Sequence, residues 1–438
     1  MLIEFSVANH RCFQDRVTLS MEAESRLSER DKTVDERNIA KTPQGDLLRV
    51  VGIYGANASG KSNLLGAMRT LRSLVLDSAR QGQTGDSLPV DPFRLDPQGA
   101  KASSEFEIVF VHDGAQFRYG LAASRERVER EWLFSQTGDE DEQLGFERER
   151  DVYSTGPAWQ RDQSLEEKTR PEALHISVCA AFNHPRATSL LGWFRRLKSI
   201  GSSPGPIPTI NLLRQEAYGE VIRNLVRRLD FGIDDLVLAE HPPEHTALLN
   251  SMFGALTSID ALSPALDRER VNEAIKAMPH RIIVVRNGIE FDLENDESAG
   301  TKKAFELAGP LVESLAMGDV VVVDEFDARL HTLLAKQLIE LFQDPRTNPR
   351  DAQLVFASHD TNLLTRTLLR RDQLWFVEKS RKTHASDLYS LAELRLEDGK
   401  GVRNDARFES DYLRGKYGAI PFFGSLGAVL GKTLDERD

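Results

Sequence analysis

The sequence predicts an α/β fold: a mixed central sheet with flanking helices, joined to an antiparallel β-meander and a helical insertion lobe. Three features carry that reading. Val320-Val321-Val322-Val323 and Gln353-Leu354-Val355-Phe356-Ala357 are continuous apolar runs, as strands buried on both faces require. The β-branched run over residues 50–54 passes through a loop of small residues into a helical stretch, Asn63-Leu64-Leu65-Gly66-Ala67-Met68. Residues 104–111 and 116–121 alternate with period two around His112-Asp113-Gly114-Ala115, a hairpin signal.

Taken in order, residues 2–7 alternate and predict a first strand, and residues 17–21 a second. Residues 22–47 are polar and charge-mixed, which suits a loop with a weak helix. After the helix that runs to about Leu76, glycines and prolines over residues 77–104 mark loop. Residues 127–134 add a further strand to the meander. Residues 136–172, acidic and dotted with Gly and Pro, are expected to be irregular and mobile. Residues 173–278 are largely helical in pattern, interrupted by a strand at 235–239, with helices expected near Trp193, near Val226 and over 268–277. Trp193-Phe194 suits a core anchor better than a base-stacking platform. Asn287-Gly288 joins two short strands, and a helix follows from about Lys302 to Ala316. The buried strands then alternate with helices at 333–342 and 362–369, and a third strand spans 373–377. The expected division is 1–135 and 281–438 as two halves of one head, with 136–280 as the insertion lobe.

Composition narrows the class. At 438 residues with a net charge of −12, the chain is an ordinary globular protein whose overall charge does not advertise nucleic-acid binding. Cys12 and Cys179 stand far apart, without metal-ligand spacing, as in a reducing cytoplasm. No apolar run approaches the roughly 18 residues needed to cross a bilayer, so a cytoplasmic protein without membrane contact is expected.

The chemistry is concentrated in a few short motifs. Gly55-Ala56-Asn57-Ala58-Ser59-Gly60-Lys61-Ser62 has the spacing of a phosphate loop between strand and helix. Gly55 and Gly60 permit backbone angles closed to other residues, so the N–H groups from Asn57, Ala58 and Ser59 through Asn63 can turn toward phosphate oxygens. The helix start adds positive potential, Lys61 can reach the β- and γ-phosphates, and the Ser62 hydroxyl can ligate Mg²⁺. A nucleoside triphosphate is the implied ligand. Asp324-Glu325 ends an apolar run, where an aspartate can orient Mg²⁺ directly or through water and a glutamate can polarise the attacking water. Alone, that pair could equally be surface acids ending a strand. His359 follows the next apolar run and could donate to the γ-phosphate. Ser298 and Gly300 precede a helix whose N-terminus could hold a γ-phosphate from the opposite side; in isolation they are little more than a helix cap.

The order of these pieces resembles the ABC-type P-loop ATPase heads of the SMC and RecF class. The match runs through residues 55–62, Asp324, Glu325 and His359. Glu297-Ser298-Ala299-Gly300-Thr301 replaces the Leu-Ser-Gly-Gly-Gln of transporters, and His331 stands where transporters carry an aspartate. Gln81 and Gln83 are the candidates for the glutamine loop. Asn9-His10-Arg11-Cys12-Phe13 resembles the segment after the first strand of such heads, whose basic residue approaches nucleotide; Arg11 either does this or pairs with a surface carboxylate. The chain also looks like the compact prokaryotic AAA-type ATPases of the RloA and abortive-infection AbiL group. That likeness rests on Asp324-Glu325 with His331, on Arg371-Asp372-Gln373-Leu374-Trp375-Phe376-Val377-Glu378-Lys379, and on Tyr412-Leu413 with Gly415 and Tyr417-Gly418-Ala419-Ile420-Pro421.

These resemblances imply ATP and Mg²⁺ as cofactors and a homodimer in which Ser298 and Gly300 face the triphosphate of the other copy. Hydrolysis, with Glu325 as base and His359 as sensor, would reopen the pair as a switch. They also imply a place beside effector genes in anti-phage defence. Related OLD nucleases carry a further nuclease domain, but the roughly 79 residues after His359 hold no Asp-x-Asp pair, so cutting would belong to a separate effector. The competing reading is a RecF- or SMC-like ATPase of DNA repair. Arg195-Arg196 with Lys198, Arg227-Arg228, and Arg366 to Arg371 would line its nucleic-acid surface, or else are solvated helix faces. A transporter subunit is disfavoured by the meander, the long insert and the altered signature.

Overall fold

Two-sided burial of the apolar strands follows from sheet order. The computed structural model describes all residues except 25–31, 81–86, 139, 203, 230, 242–243, 245–279, 397–398, 404–405 and 422–438. Its central sheet has the order Leu197–Ile200, Val320–Val323, Gln353–Ala357, Val50–Tyr54, Leu374–Lys379 and Ser386–Ser390. The first five strands run parallel and the last antiparallel. Because successive side chains point to opposite faces, Val51, Ile53, Val320, Val322, Val355 and Val377 enter one core with Leu64, Met68 and Leu71 of the helix Lys61–Asp77. Val50, Tyr54, Val321, Val323, Leu354 and Phe376 enter another, with Leu338 and Ile339 of the helix Thr332–Gln343 and with Tyr412 and Tyr417.

The first core is roofed by an antiparallel sheet in the order Val152–Thr155, Gln143–Glu149, Val128–Gln136, Ala115–Ala123, Ser104–His112, Leu2–Ala8 and Val17–Ser20. The expected meander is present and is longer than its pattern suggested. Residues 143–155, expected to be irregular, supply two of its strands. Phe146 and Arg148 do point inward at period two, and the buried arginine disguises the alternation. In the polar stretch 22–47, a short helix Lys32–Asn38 is followed by a hairpin, Ile39–Thr42 with Gly45–Leu48.

Helices His175–Ala181 and Pro185–Arg195 pack on Lys61–Asp77, so this part of the insert builds the head itself. Trp193 is a core anchor: it is buried and stacks on Phe110 with ring centroids 3.9 Å apart. The chain then contributes Leu197–Ile200 to the central sheet. A third core lies between Ile207–Leu213, Glu216–Arg227, the sheet Asp235–Glu240, His280–Arg286, Ile289–Asp292, and one side of the helix Ala299–Met317. The Asn287-Gly288 turn is as expected, with φ of 49° and 75°. The helix expected over 268–277 and both candidate glutamines, Gln81 and Gln83, lie outside the described residues. Residues 362–369 are not a helix. The 3₁₀ turn Thr361–Leu363 ends where Leu364 leaves the helical region at φ −76°, ψ 65°, and a separate turn follows, with the Leu368 and Leu369 N–H groups donating to the Thr365 oxygen at 3.0 and 2.9 Å.

Candidate nucleotide site

Strand register brings the motif residues together. Ile53 pairs with Ala357, and Phe356 with Val323, so three neighbouring parallel strands end level with one another. Gly55, Ser358-His359 and Asp324-Glu325 therefore leave the sheet along one carboxyl edge, the usual place for a ligand in such sheets. His359 comes from the middle strand, between the lysine and the carboxylates.

The loop takes its shape from two glycines. Gly55 has φ 150°, and a Cβ there would lie 2.3 Å from the Val377 carbonyl oxygen. Gly60 has φ 124°, with Cys12 Sγ 2.7 Å from where a Cβ would stand. Asn57 and Ala58 are exposed at the loop crest, Ser59 is buried, and Ser62 and Asn63 lie on the first turn of the helix. Lys61 is 6% exposed and folds back, its Nζ donating to the Gly55 oxygen at 2.7 Å and to the Ala56 oxygen at 3.2 Å. Burial pulls its pKa down to about 8, with Asp324, Asp327 and Glu325 resisting that shift. A triphosphate would supply the counter-charge that loop carbonyls cannot.

Ser62 Oγ donates to Asp324 Oδ1 at 3.1 Å, so a hydroxyl and a carboxylate meet with no cation of the protein between them. That donor pair fits Mg²⁺, which takes few protein oxygens and completes its shell with phosphates and water. Glu325 is exposed and sits at φ 49°, a strained position for a side chain of its size, with its N–H on Asp324 Oδ1 at 3.1 Å. His359 is also exposed. Partial desolvation of its ring lowers its pKa, and Lys61 lowers it further, while Asp327, Glu325 and Asp324 act oppositely.

Ser298, Gly300 and Arg11 are not hydrogen-bonded to the loop. Ser298 caps the helix Ala299–Met317, accepting from the Thr301 N–H at 3.1 Å. A Cβ on Gly300 would lie 2.9 Å from the Arg329 oxygen, so this helix starts beside the loop that follows Glu325. Arg11 pairs with Asp91 at 3.7 Å and flanks the phosphate-loop helix at Gly66. His331 caps the helix Thr332–Gln343.

Two residues escaped the sequence reading. Asp327 accepts from the His359 N–H at 3.2 Å and ties the two strand ends together. Lys303 is 2% exposed, with its Nζ on the Ser202 oxygen at 2.6 Å, and burial lowers its pKa against the pull of Glu306, Glu325 and Asp324. A lysine beside the apolar stripe Ala304, Leu307, Ala308 and Leu311 was the available signal.

Among the described residues no helix is long and apolar enough to cross a membrane. No curated protein matches the chain. Among solved structures, an SMC head domain from Thermotoga maritima is 15% identical with a TM-score of 0.41, over 89% of this chain and 98% of that one. An SMC head bound to the C-terminal winged-helix domain of ScpA is 13% identical at 0.41, over 91% and 98%. An SMC head with an extended coiled coil, bound to the C-terminal domain of ScpA from Pyrococcus furiosus, is 10% identical at 0.36, over 89% and 96%. Residues 50–365, from the phosphate strand to beyond His359, match the model of one family, and the chain belongs to it: "AAA domain, putative AbiEii toxin, Type IV TA system".

Proposed function

We propose that this chain binds and hydrolyses ATP with Mg²⁺, and that two copies close on two ATP molecules as a homodimer whose opening and closing controls a separate effector in anti-phage defence. The observation that carries the reading is the convergence of Lys61, the Ser62–Asp324 pair, Glu325 and His359 at the ends of three adjacent parallel strands. In this reading Lys61 leaves its loop carbonyls for the β- and γ-phosphates. Ser62 and Asp324 hold Mg²⁺, which supplies charge neutralisation at the phosphates. Glu325, exposed at the strand end, takes the proton of the attacking water, and His359 donates to the γ-phosphate. The N–H groups after Ser298, with Gly300, serve the triphosphate of the twin subunit. The defence role rests on the sequence likeness to the RloA and AbiL group, together with the family membership.

The DNA-repair alternative needs a free basic surface, and much of the candidate one is already neutralised. Arg196 pairs with Asp319 at 3.3 Å, Lys198 with Glu313 at 3.9 Å, Arg227 with Asp235 at 2.6 Å, Arg370 with Asp372 at 2.6 Å and Arg371 with Glu24 at 2.9 Å.

The deciding experiment is the solution mass of Glu325→Gln with and without Mg-ATP. A doubling that ATP alone induces is expected; an unchanged mass would remove the composite dimer. ATPase activity that DNA stimulates, falling steeply with salt, would favour the repair reading instead.

A further inference from the structure

Residues 408–420 are not part of any phosphate-loop motif, yet they are built into the loop. The Ala56 N–H donates to the Ala419 carbonyl oxygen at 2.9 Å, and the Tyr412 hydroxyl donates to the same oxygen at 3.0 Å. Left-handed backbone at Gly418 and Ala419, φ 70° and 54°, turns that oxygen toward the loop. The bend is held from outside by Tyr389, whose hydroxyl donates to the Tyr417 oxygen at 2.7 Å. Tyr412 stacks on Phe376, of the strand next to the phosphate strand, with centroids 5.3 Å apart. On its other side the helix Phe408–Leu413 contacts the turn Thr361–Leu363, just beyond His359. One short segment thus touches both the phosphate loop and the histidine turn.

The peptide unit joining Gly55 to Ala56 is gripped at both ends: its carbonyl by Lys61 Nζ and its N–H by Ala419. When Lys61 leaves for a triphosphate, the first grip is lost and only the second remains. We propose that Tyr412, through Ala419, is a positioning residue of the nucleotide site. It keeps the Gly55–Ala56 peptide oriented while Lys61 is engaged with phosphate, and couples that peptide to the His359 turn. The proposal rests on the nucleotide reading above and assigns no contact with ATP to Tyr412 itself.

The test uses the full chain and Mg-ATP as the probe. Tyr412→Phe keeps the ring stack and deletes only the hydroxyl. In a Glu325→Gln background it should weaken ATP binding by roughly two- to tenfold, the worth of one buried hydrogen bond. In the wild-type background KM should rise by the same factor while kcat stays within about twofold, a split that mere loss of stability would not produce. Hydrogen exchange across 408–420 should slow when Mg-ATP is added to the unmutated chain. Equal ATP affinity in Tyr412→Phe and its parent, or exchange in 408–420 that ATP leaves unchanged, would overturn the proposal and leave the nucleotide site standing. If neither protein binds ATP, the nucleotide reading itself falls and takes this one with it.

Discussion

The strand-end site and a cluster under the meander each combine a carboxylate, a basic side chain and a histidine, and they hold them in opposite ways. Beneath the antiparallel sheet, Glu131 and Arg148 are both fully buried and 3.8 Å apart. Glu131 accepts from the His175 N–H at 2.6 Å, the Ile176 N–H at 3.0 Å and the Tyr119 hydroxyl at 3.0 Å. Arg148 donates to the carbonyls of Arg150, Ala173 and Arg170. His175 Nε2 lies 3.3 Å from Cys179 Sγ, which by residue type resembles a nucleophilic dyad. Burial, however, pushes the thiol pKa up and the imidazole pKa down to about 3, so both stay neutral. Every strong donor and acceptor of that pair is spent inside the protein. At the strand ends the carboxylate of Glu325 and the ring of His359 face outward, and Lys61 rests on carbonyls it can leave. Residue types alone do not separate a site from a staple. What separates them is whether the charges are already satisfied.

The largest expected effect breaks the site and spares the staple. Lys61→Ala should lower ATP hydrolysis by about a thousandfold or more, about 4 kcal/mol of transition-state stabilisation. Its melting temperature should change little, since the loss of two hydrogen bonds to loop carbonyls is offset by removing an ammonium whose charge burial disfavours. Phosphate release and thermal unfolding, measured on one preparation, check both halves. The converse is Arg148→Met, which leaves Glu131 buried without its partner and should cost about 3–5 kcal/mol of stability. The fraction still folded should hydrolyse ATP at the wild-type rate per molecule, because Arg148 touches nothing at the strand ends. Denaturant titration and active-site-normalised rates separate the two.

A pH series sharpens the comparison. His175 has its pKa lowered from an ordinary 6.5 to about 3, chiefly by burial and then by Arg148. The folded state therefore excludes a proton that the unfolded chain binds below pH 6.5. Stability must fall as pH drops from about 6.5 toward 3, by up to about 1.4 kcal/mol per pH unit from this one group. His175→Gln should unfold with a shallower acid slope than the wild type, and chemical denaturation at pH 7, 6, 5 and 4 would show it. Equal slopes would mean that His175 takes up its proton in place.

The same contrast explains what was legible in the sequence. Apolar runs of four or five residues, a glycine loop and an Asp-Glu pair revealed the central sheet and the residues along its edge, because the motif residues sit where the runs end. The meander strand Gln143–Glu149 was hidden because its inward positions include Arg148, a charge that only a buried partner makes tolerable. Asp327 was hidden for another reason: its role is to accept one backbone N–H from a residue 32 positions away, which no local pattern encodes. Residues 362–369 looked helical because Leu363, Leu364, Leu368 and Leu369 are all apolar, with Leu364 and Leu368 four positions apart. All four are buried in one core, but they reach it from two successive turns and not from one face of a helix.

The smallest expected effect concerns the edge of the site. Gly300 stands against the Arg329 carbonyl, where an added Cβ would come within 2.9 Å of a backbone atom that cannot rotate away. Gly300→Ala must push the start of the helix Ala299–Met317 off the loop following Glu325 by a few tenths of an ångström. If that helix start serves the triphosphate of the twin subunit, the shift acts on the dimer alone. ATP affinity of the isolated subunit should stay unchanged. The ATP-induced dimer of Glu325→Gln should weaken several-fold when Gly300→Ala is added, about 1 kcal/mol at the interface. Sedimentation across a concentration series reads the dimer constant, and nucleotide binding at low protein concentration reads the monomer. A change in monomer affinity with the dimer constant unmoved would instead place Gly300 in service of its own subunit's phosphate, and the helix start would then belong beside Lys61 rather than across from it.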